Sequence, residues 1–295
     1  MRSSKSSGAK ESFQQTSRGH ERILERSSMS SADATNNVDL LHRDNGEPPA
    51  DATSSQMGKY YQEPRRTDHA LILKAMNKIS IFYSEQGNSK EAKEILLRVV
   101  KAYKETVGPK HTLILELGNN IGVLCLEQGD LQEAEECFLS ALEGKIEVLG
   151  ARHTSTLNTY GNIGNLYSMQ GRLEEATDLL WQVMKGYEDE CGKQHESTSR
   201  IAYNLGMVYG KQKRSDEAER MFSRAVCGYE KVWGLSHPST LDAVINLGDL
   251  YKEKGEISRA KEMYMRAVAG YKNASEDHEE DVRFLQKQLS LLVGL

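Results

Sequence analysis

Apolar side chains recur at helical steps along two neighbouring stretches of residues 153–194. In the first stretch they lie three or four residues apart, at Leu157, Tyr160, Ile163, Gly164 and Tyr167. In the second they follow the same steps, at Leu173, Ala176, Leu180, Val183, Met184 and Tyr187. This spacing places each set on one face of an α-helix. The short Gln170-Gly171 connection between the stretches predicts two antiparallel helices joined by a tight turn.

The pattern returns along the chain with a fixed step of 42 residues, and a histidine opens each copy. The histidines are His69, His111, His153, His195 and His237. A fixed period of this length indicates a repeat array, in which each copy buries its core against its neighbours. We therefore predict five repeats, at residues 69–110, 111–152, 153–194, 195–236 and 237–277.

Small residues recur where the two helices of a repeat should meet. Gly164 and Ala176 would let the helix axes approach closely, and Gly122, Gly206 and Gly248 keep the first of these positions. The turn glycine also recurs, at Gly87, Gly129, Gly171 and Gly255. Lys213 replaces it in the fourth repeat, where we expect a strained or looser turn.

The repeated histidines suggest a metal site, but their spacing argues against one. Zinc ligands lie about 2.0–2.3 Å from one ion, whereas equivalent points on packed helices are about 8–10 Å apart. Pro238, which follows His237, suits the first position of a helix. We therefore predict that the histidines lie at or beside helix N-caps, and we expect neither a metal nor a cofactor.

The two ends of the chain differ from the repeats. Residues 1–68 are rich in Ser and lack helical or strand periodicity, so we expect a largely disordered tail. Within it, residues 57–68 could be the end of a degenerate repeat, because Tyr61 lies 42 residues before Tyr103. Residues 278–295 carry Val282, Leu285, Leu289 and Leu292 at helical steps, which predicts a C-terminal helix that caps the array.

Composition excludes several classes of protein. The net charge of -5 lacks the basic excess of a nucleic-acid-binding protein. No apolar run reaches about 18 residues and the N-terminus lacks the apolar core of a signal peptide, so we expect a cytoplasmic protein without a membrane segment. The four cysteines show no C-x-x-C spacing, which favours reduced thiols over a disulfide framework.

The repeated residues resemble a known family. NLGMVYGKQKRSDEAERMFSRA and INLGDLYKEKGEISRAKEMYMRA are similar to tetratricopeptide repeats. The period of 42 and the junction GLSHPST resemble the kinesin light chain subtype, although residues 1–68 lack that family's heptad region. The resemblance implies an all-α, right-handed tetratricopeptide superhelix, or α-solenoid, of five helix-turn-helix repeats with a C-terminal capping helix. In that family the first helices line a concave groove that binds an extended peptide.

An asparagine ladder occupies the position that would face this groove. Its members follow the 42-residue step: Asn120, Asn162, Asn204 and Asn246, with Asn165 close by on the same face. A carboxamide can pair with both the N–H and the C=O of a peptide backbone, and asparagines at this position resemble those that hold peptides in the family. The alternative is that they bond their neighbours within the array and stabilise stacking.

Charged and apolar residues in the fourth repeat suggest a chemistry for the partner. Arg200 and Lys211 could hold an acidic peptide, with apolar contact from Tyr203 and Met207. The alternative is a solvated polar face.

Motifs for catalysis are missing from the sequence. It contains no G-x-x-x-x-G-K-[ST] loop, no H-E-x-x-H helix and no G-x-S-x-G turn, so we expect no enzyme activity. Acidic pairs such as Glu174-Glu175 begin second helices, where the helix dipole favours them. We therefore predict a protein-interaction module of the adaptor type. The alternative is a structural scaffold, or a fragment of a larger protein that makes subunit contacts, and self-association stays open.

Overall fold

The computed structural model describes residues 88–274 and 278–292, and within these ranges all regular secondary structure is α-helical. It contains ten helices. They are α1 (Ser89–Val107), α2 (Thr112–Gln128), α3 (Leu131–Leu149), α4 (Thr154–Met169), α5 (Leu173–Cys191), α6 (Glu196–Lys211), α7 (Ser215–Trp233), α8 (Pro238–Glu253), α9 (Ile257–Asn273) and α10 (Glu279–Leu291). The predicted tail, the segment 57–68 and the first helix of the first repeat lie outside the described residues.

The helices form two compact units, which divide between Ala151 and Arg152. In the first unit, α2 and α3 pair as a hairpin and α1 packs against α2. In the second unit, three hairpins follow one another: α4 with α5, α6 with α7, and α8 with α9. Each hairpin packs against the next through its neighbouring helix, and α10 packs against α9. The all-helical repeat fold is thus confirmed.

Four of the five repeated histidines, His111, His153, His195 and His237, lie in the described residues and are helix N-caps, which confirms their predicted position. Each has an extended backbone, and its imidazole Nδ1 accepts a hydrogen bond from the backbone N–H two residues later. The N···N distances are 3.3 Å at His111, 3.1 Å at His153, 3.2 Å at His195 and 3.2 Å at His237. Since the first N–H groups of a helix have no partner inside it, each histidine satisfies a donor that would otherwise be left open.

The glycines of the first helices lie against bulky core side chains of their partner helices, as predicted. A Cβ atom at Gly164 would lie 2.7 Å from Leu180 Cδ2, closer than van der Waals contact allows. The same relation holds between Gly206 and Phe222, where the distance would also be 2.7 Å. Each hairpin therefore depends on a missing side chain for its close packing.

The turns within the hairpins use a left-handed residue. Gly129, Gly171 and Gly255 have φ angles of 81°, 79° and 77°. Lys213 takes the same conformation with φ 62°, and it is the only non-glycine residue with positive φ in the described part of the chain. A side chain at such a position costs about 1–2 kcal/mol, which confirms the expected strain.

The last helix covers the end of the array, as predicted. Leu285 and Leu292 are each only 1% exposed, and α10 packs against α9. Lys252 of α8 donates a hydrogen bond to Gln288 Oε1 at 2.8 Å. The helix thus removes the apolar edge of the last hairpin from water.

Replacing Lys213 with Gly should stabilise the protein. Glycine accepts positive φ without a steric penalty, so we expect a gain of about 0.5–1 kcal/mol and a higher Tm. The matched control is Gly171→Ala, which creates the same conflict in the preceding repeat and should cost about 1 kcal/mol. A lower Tm for Lys213→Gly would show that the turn is not strained.

Replacing Leu285 with Ala should destabilise the C-terminal helix. Loss of this buried side chain leaves a cavity and should cost about 2–4 kcal/mol in chemical denaturation. Phe284→Ala, on the exposed side of the same helix, should change stability by less than about 0.5 kcal/mol. Equal effects of the two substitutions would argue against a capping role for α10.

Candidate functional site

The predicted site residues of the second unit lie on its first helices, α4, α6 and α8. Helices α4 and α6 contact each other directly, and a hydrogen bond joins α6 to α8. We call the side of these helices that carries the predicted residues the first-helix face. Its predicted residues are Asn162, Asn165, Arg200, Asn204, Met207, Lys211 and Asn246. Asn120 has the equivalent position on α2 in the first unit.

Helix α6 carries the most continuous part of this face. Arg200, Asn204, Met207 and Lys211 follow one another at steps of four, three and four residues, and all are half-buried. These steps align them along one side of the helix. At a rise of about 1.5 Å per residue, the two cationic residues are about 16 Å apart along the axis. The asparagine and the methionine lie between them.

Arg200 is held by the preceding repeat. Its Nη2 donates to the Oδ1 of Asn158 on α4, a residue one repeat earlier. The Tyr187 hydroxyl lies 3.0 Å from the same oxygen. The guanidinium is therefore positioned by a neutral acceptor and keeps its full charge for another partner.

Lys211 is positioned in the same way at the other end of α6. Its Nζ donates to the backbone oxygen of Ser168 at 3.2 Å and to the Oγ at 2.9 Å. Burial lowers the pKa of Lys211. Among the described residues, neither Lys211 nor Arg200 has a carboxylate within ion-pair distance. By contrast, Arg172 pairs with Glu175 at 2.6 Å.

The asparagine ladder does not behave uniformly. Asn246 is only 7% exposed, and its Nδ2 donates to the Tyr203 hydroxyl at 3.0 Å and to the Asp242 carbonyl at 2.8 Å. Tyr203 is 8% exposed and meets Phe222 edge to face at 5.8 Å. The structure thus places Tyr203 beneath the first-helix face, where it joins two repeats through Asn246.

The other asparagines are half-buried and more accessible. Asn120 accepts a hydrogen bond from Asn119 at 3.3 Å. Asn162 and Asn165 lie on α4, on either side of the core pair Ile163-Gly164. Within the described part of the chain, the side chains of Asn165 and Asn204 have no hydrogen-bond partner. Asn204 therefore presents an unused carboxamide between the two cations of α6.

Acidic residues occupy the neighbouring helix of the face. Asp242 and Asp249 lie on α8 at the positions that correspond to Arg200 and Met207 on α6. The Tyr264 hydroxyl donates to Asp249 Oδ1 at 2.5 Å, and burial raises the pKa of Asp249 to about 6. The face is therefore cationic on α6 and acidic on α8.

Sequence reasoning missed two supports of this site. Ser168 holds Lys211, although no pattern in the sequence distinguishes it from other polar residues of α4. Asn158 holds Arg200 across one repeat, and the 42-residue step between them is a signal that could have found it. The predicted cations thus depend on polar partners in the preceding repeat.

Metal-binding clusters and membrane-spanning helices do not occur in the described ranges. No three His, Cys, Asp or Glu side chains there gather as a metal site, and no helix there has the length and apolar character needed to span a bilayer. Some acidic residues that begin second helices are engaged, for example Glu217 with Arg214 at 2.8 Å. They act as structural charges at helix N-termini.

Helix hairpins that repeat with glycine contacts and histidine caps define an all-helical repeat protein. The Tetratricopeptide repeat profile matches residues 71–145, 113–189 and 197–273. The chain therefore belongs to the tetratricopeptide repeat family. Proteins of this family generally contact other proteins, and the fold is generally non-catalytic.

Solved structures of similar fold come from several organisms. The nearly identical TPR-like repeats of a kinesin light chain candidate from Podosopora anserina are 23% identical, with 70% of this chain and 97% of that chain covered and a TM-score of 0.54. BtubC (BKLC) from P. vanneervenii is 20% identical over 70% of this chain and 80% of its own, with a TM-score of 0.58. Aspartyl phosphate phosphatase F from Bacillus subtilis is 16% identical, with 85% of this chain and 64% of that chain covered and a TM-score of 0.61. At these identities the likeness shows the fold alone, and no curated protein sequence gave a significant match.

Replacing Asn246 and Asn204 separately should distinguish structural from exposed members of the ladder. Asn246→Ala removes a buried link between repeats and leaves the Tyr203 hydroxyl without its donor, so it should cost about 1–3 kcal/mol. Asn204→Ala should change stability by less than about 0.5 kcal/mol. Urea denaturation followed by circular dichroism measures both. Equal losses in the free energy of unfolding would show that Asn204 also stabilises the array.

Proposed function

We propose that this protein is a non-catalytic, cytoplasmic interaction module that binds an extended segment of a partner protein on the first-helix face. The observation that carries the proposal is the arrangement on α6. Arg200 and Lys211 flank the unused carboxamide of Asn204, and neither cation has a carboxylate partner among the described residues. Such groups offer charge and backbone hydrogen bonding to a ligand without first breaking an internal ion pair.

The spacing of these groups suits an extended peptide. Asn204 can pair with a peptide N–H and C=O at once, which fixes the backbone. The separation of about 16 Å between the cations matches about five residues of extended chain at about 3.3 Å per residue. We therefore propose a segment with acidic side chains near both ends of such a stretch, with Met207 in apolar contact between them.

The supports of the two cations favour binding. Arg200 is held by Asn158, and Lys211 is held by Ser168. Ordering a long cationic side chain costs about 0.5–1.5 kcal/mol when it binds. Here both side chains are already partly ordered in the folded protein, so binding should lose less conformational entropy. The carboxylates of Asp242 and Asp249 would repel an acidic continuation, so the part of the segment over α8 should be neutral or basic.

The second candidate function is a structural scaffold that binds through its second helices. Trp181 on α5 and Met265 on α9 occupy the same repeat position, and their side chains are 41% and 62% exposed. Exposed apolar residues at equivalent positions favour contacts on that side. Light scattering separates the two functions, because a mass that rises with concentration favours self-assembly over peptide capture.

Reversing the two cations of α6 should abolish binding of acidic segments. We expect Arg200→Glu with Lys211→Glu to raise the Kd of peptides selected by the wild type from a display library by more than about 100-fold, because each of the two lost charged hydrogen bonds contributes about 1.5–3 kcal/mol. Peptide affinity is measured by fluorescence anisotropy after circular dichroism has shown equal helicity.

The control is Lys185→Glu with Arg220→Glu, which makes the same change in net charge at exposed positions of α5 and α7. This control variant should bind every selected peptide with the affinity of the wild type. If the reversed α6 variant also keeps them, the first-helix face is not the binding site. In that case variants of Trp181 and Met265 become the test of the scaffold function.

A further inference from the structure

The first unit contains a cluster of two thiols, an amine and a carboxylate that the proposed function does not use. Cys125 on α2 is fully buried, and Cys137 on α3 is half-buried. Lys93 on α1 donates from Nζ to Glu133 Oε2 on α3 at 2.5 Å. Three helices therefore contribute to one polar cluster beside an otherwise apolar core.

The register of the hairpin brings the two thiols together. Gly118 and Gly122 of α2 face Ala141 and Phe138 of α3, so the two helices run antiparallel and in close contact. Continuing that register by one turn places Cys125 opposite the turn of α3 that contains Cys137. In this arrangement each thiol shifts the pKa of the other, and the Lys93 amine acts to lower the pKa of Cys125.

Both cysteines depart from the repeat pattern. The position of Cys125 is tyrosine in the three following repeats, at Tyr167, Tyr209 and Tyr251. The position of Cys137 is taken in the same repeats by Leu179, Met221 and Met263. A need for apolar packing alone does not explain cysteine at both positions, because the other repeats have larger side chains there. Among the last four repeats, only the second has cysteine at both positions.

The surroundings give the two thiols different reactivity. The contact with Cys125 lowers the pKa of the Cys137 thiol, and the same contact together with burial raises the pKa of Cys125. The thiolate is the reactive form of cysteine. The half-buried Cys137 is also the thiol that an oxidant from solvent can reach first, and the fully buried Cys125 lies where it can react second.

We propose that Cys125 and Cys137 form a reversible, hydroperoxide-sensitive disulfide that links α2 to α3. The Cys137 thiolate attacks one oxygen of hydrogen peroxide, the O–O bond breaks, and the sulfur becomes a sulfenic acid while the other oxygen leaves as water. Cys125 then attacks that sulfur, forms the S–S bond and displaces a second water. In total two thiols lose two electrons and two protons, and one peroxide is reduced to two waters.

Thiol mapping by mass spectrometry tests the proposal on the full chain. The protein is treated with an equimolar amount of hydrogen peroxide, free thiols are alkylated, and peptides are separated without reductant. We expect a cross-linked pair that contains Cys125 and Cys137, with Cys191 and Cys227 alkylated. Dithiothreitol should return all four cysteines of the chain to the alkylated form.

Single substitutions separate the roles of the two thiols. With Cys125→Ala, Cys137 should accumulate as sulfenic acid, detectable with dimedone, because no second thiol is present to resolve it. With Cys137→Ala, Cys125 should stay reduced. The control is Cys227→Ala, which removes an exposed thiol and should leave the cross-link unchanged.

Other outcomes overturn the proposal. It is wrong if wild-type Cys125 is alkylated after peroxide treatment, or if Cys137 proceeds to sulfinic acid without a cross-link. It is also wrong if Cys191 or Cys227 oxidises before Cys137. Because the wild type carries the first test, the result does not depend on whether a variant folds.

Discussion

The close contact between the two helices of each hairpin is the constraint on which the rest of the structure depends. A bulky side chain of the second helix occupies the space that a Cβ would fill at Gly122, Gly164, Gly206 and Gly248. A second set of glycines has the same role at the other end of the hairpin, for example Gly186 against Leu157. Two such contacts fix both the distance and the register of the pair. The exposed side chains of the first helices therefore keep the same position relative to the core in each hairpin.

That constraint explains why so much of the fold follows from the sequence. The 42-residue step alone locates the hairpins, the histidine caps and the unusual turn at Lys213, because each repeats one local solution. The second set of glycines does not follow in the same way, since glycine inside a helix is ordinarily unfavourable and its packing partner lies on the preceding helix. Periodicity shows that a residue recurs, but it does not show which atom it contacts.

The candidate site follows less completely from the sequence. The asparagine ladder is regular, yet Asn246 is bonded to Tyr203, 43 residues earlier, while Asn204 stays available. The difference arises because the residue that corresponds to Tyr203 one repeat earlier is Gly161, which has no side chain to bond Asn204. The cations of α6 are predicted from the sequence, but the polar residues that hold them are not. Side-chain partners across repeats thus limit what a sequence pattern can assign.

The histidine caps depend on one chemical form of the imidazole ring. Each cap works because the imidazole Nδ1 carries a lone pair that accepts a backbone N–H. Protonation converts that nitrogen into a donor, which faces another donor and also places a positive charge at the positive end of a helix dipole. Only the neutral ring can therefore act as this cap, and burial lowers the pKa of His237, which favours the neutral form. Because the described repeats share the same N-cap, they also share its requirement for a neutral imidazole.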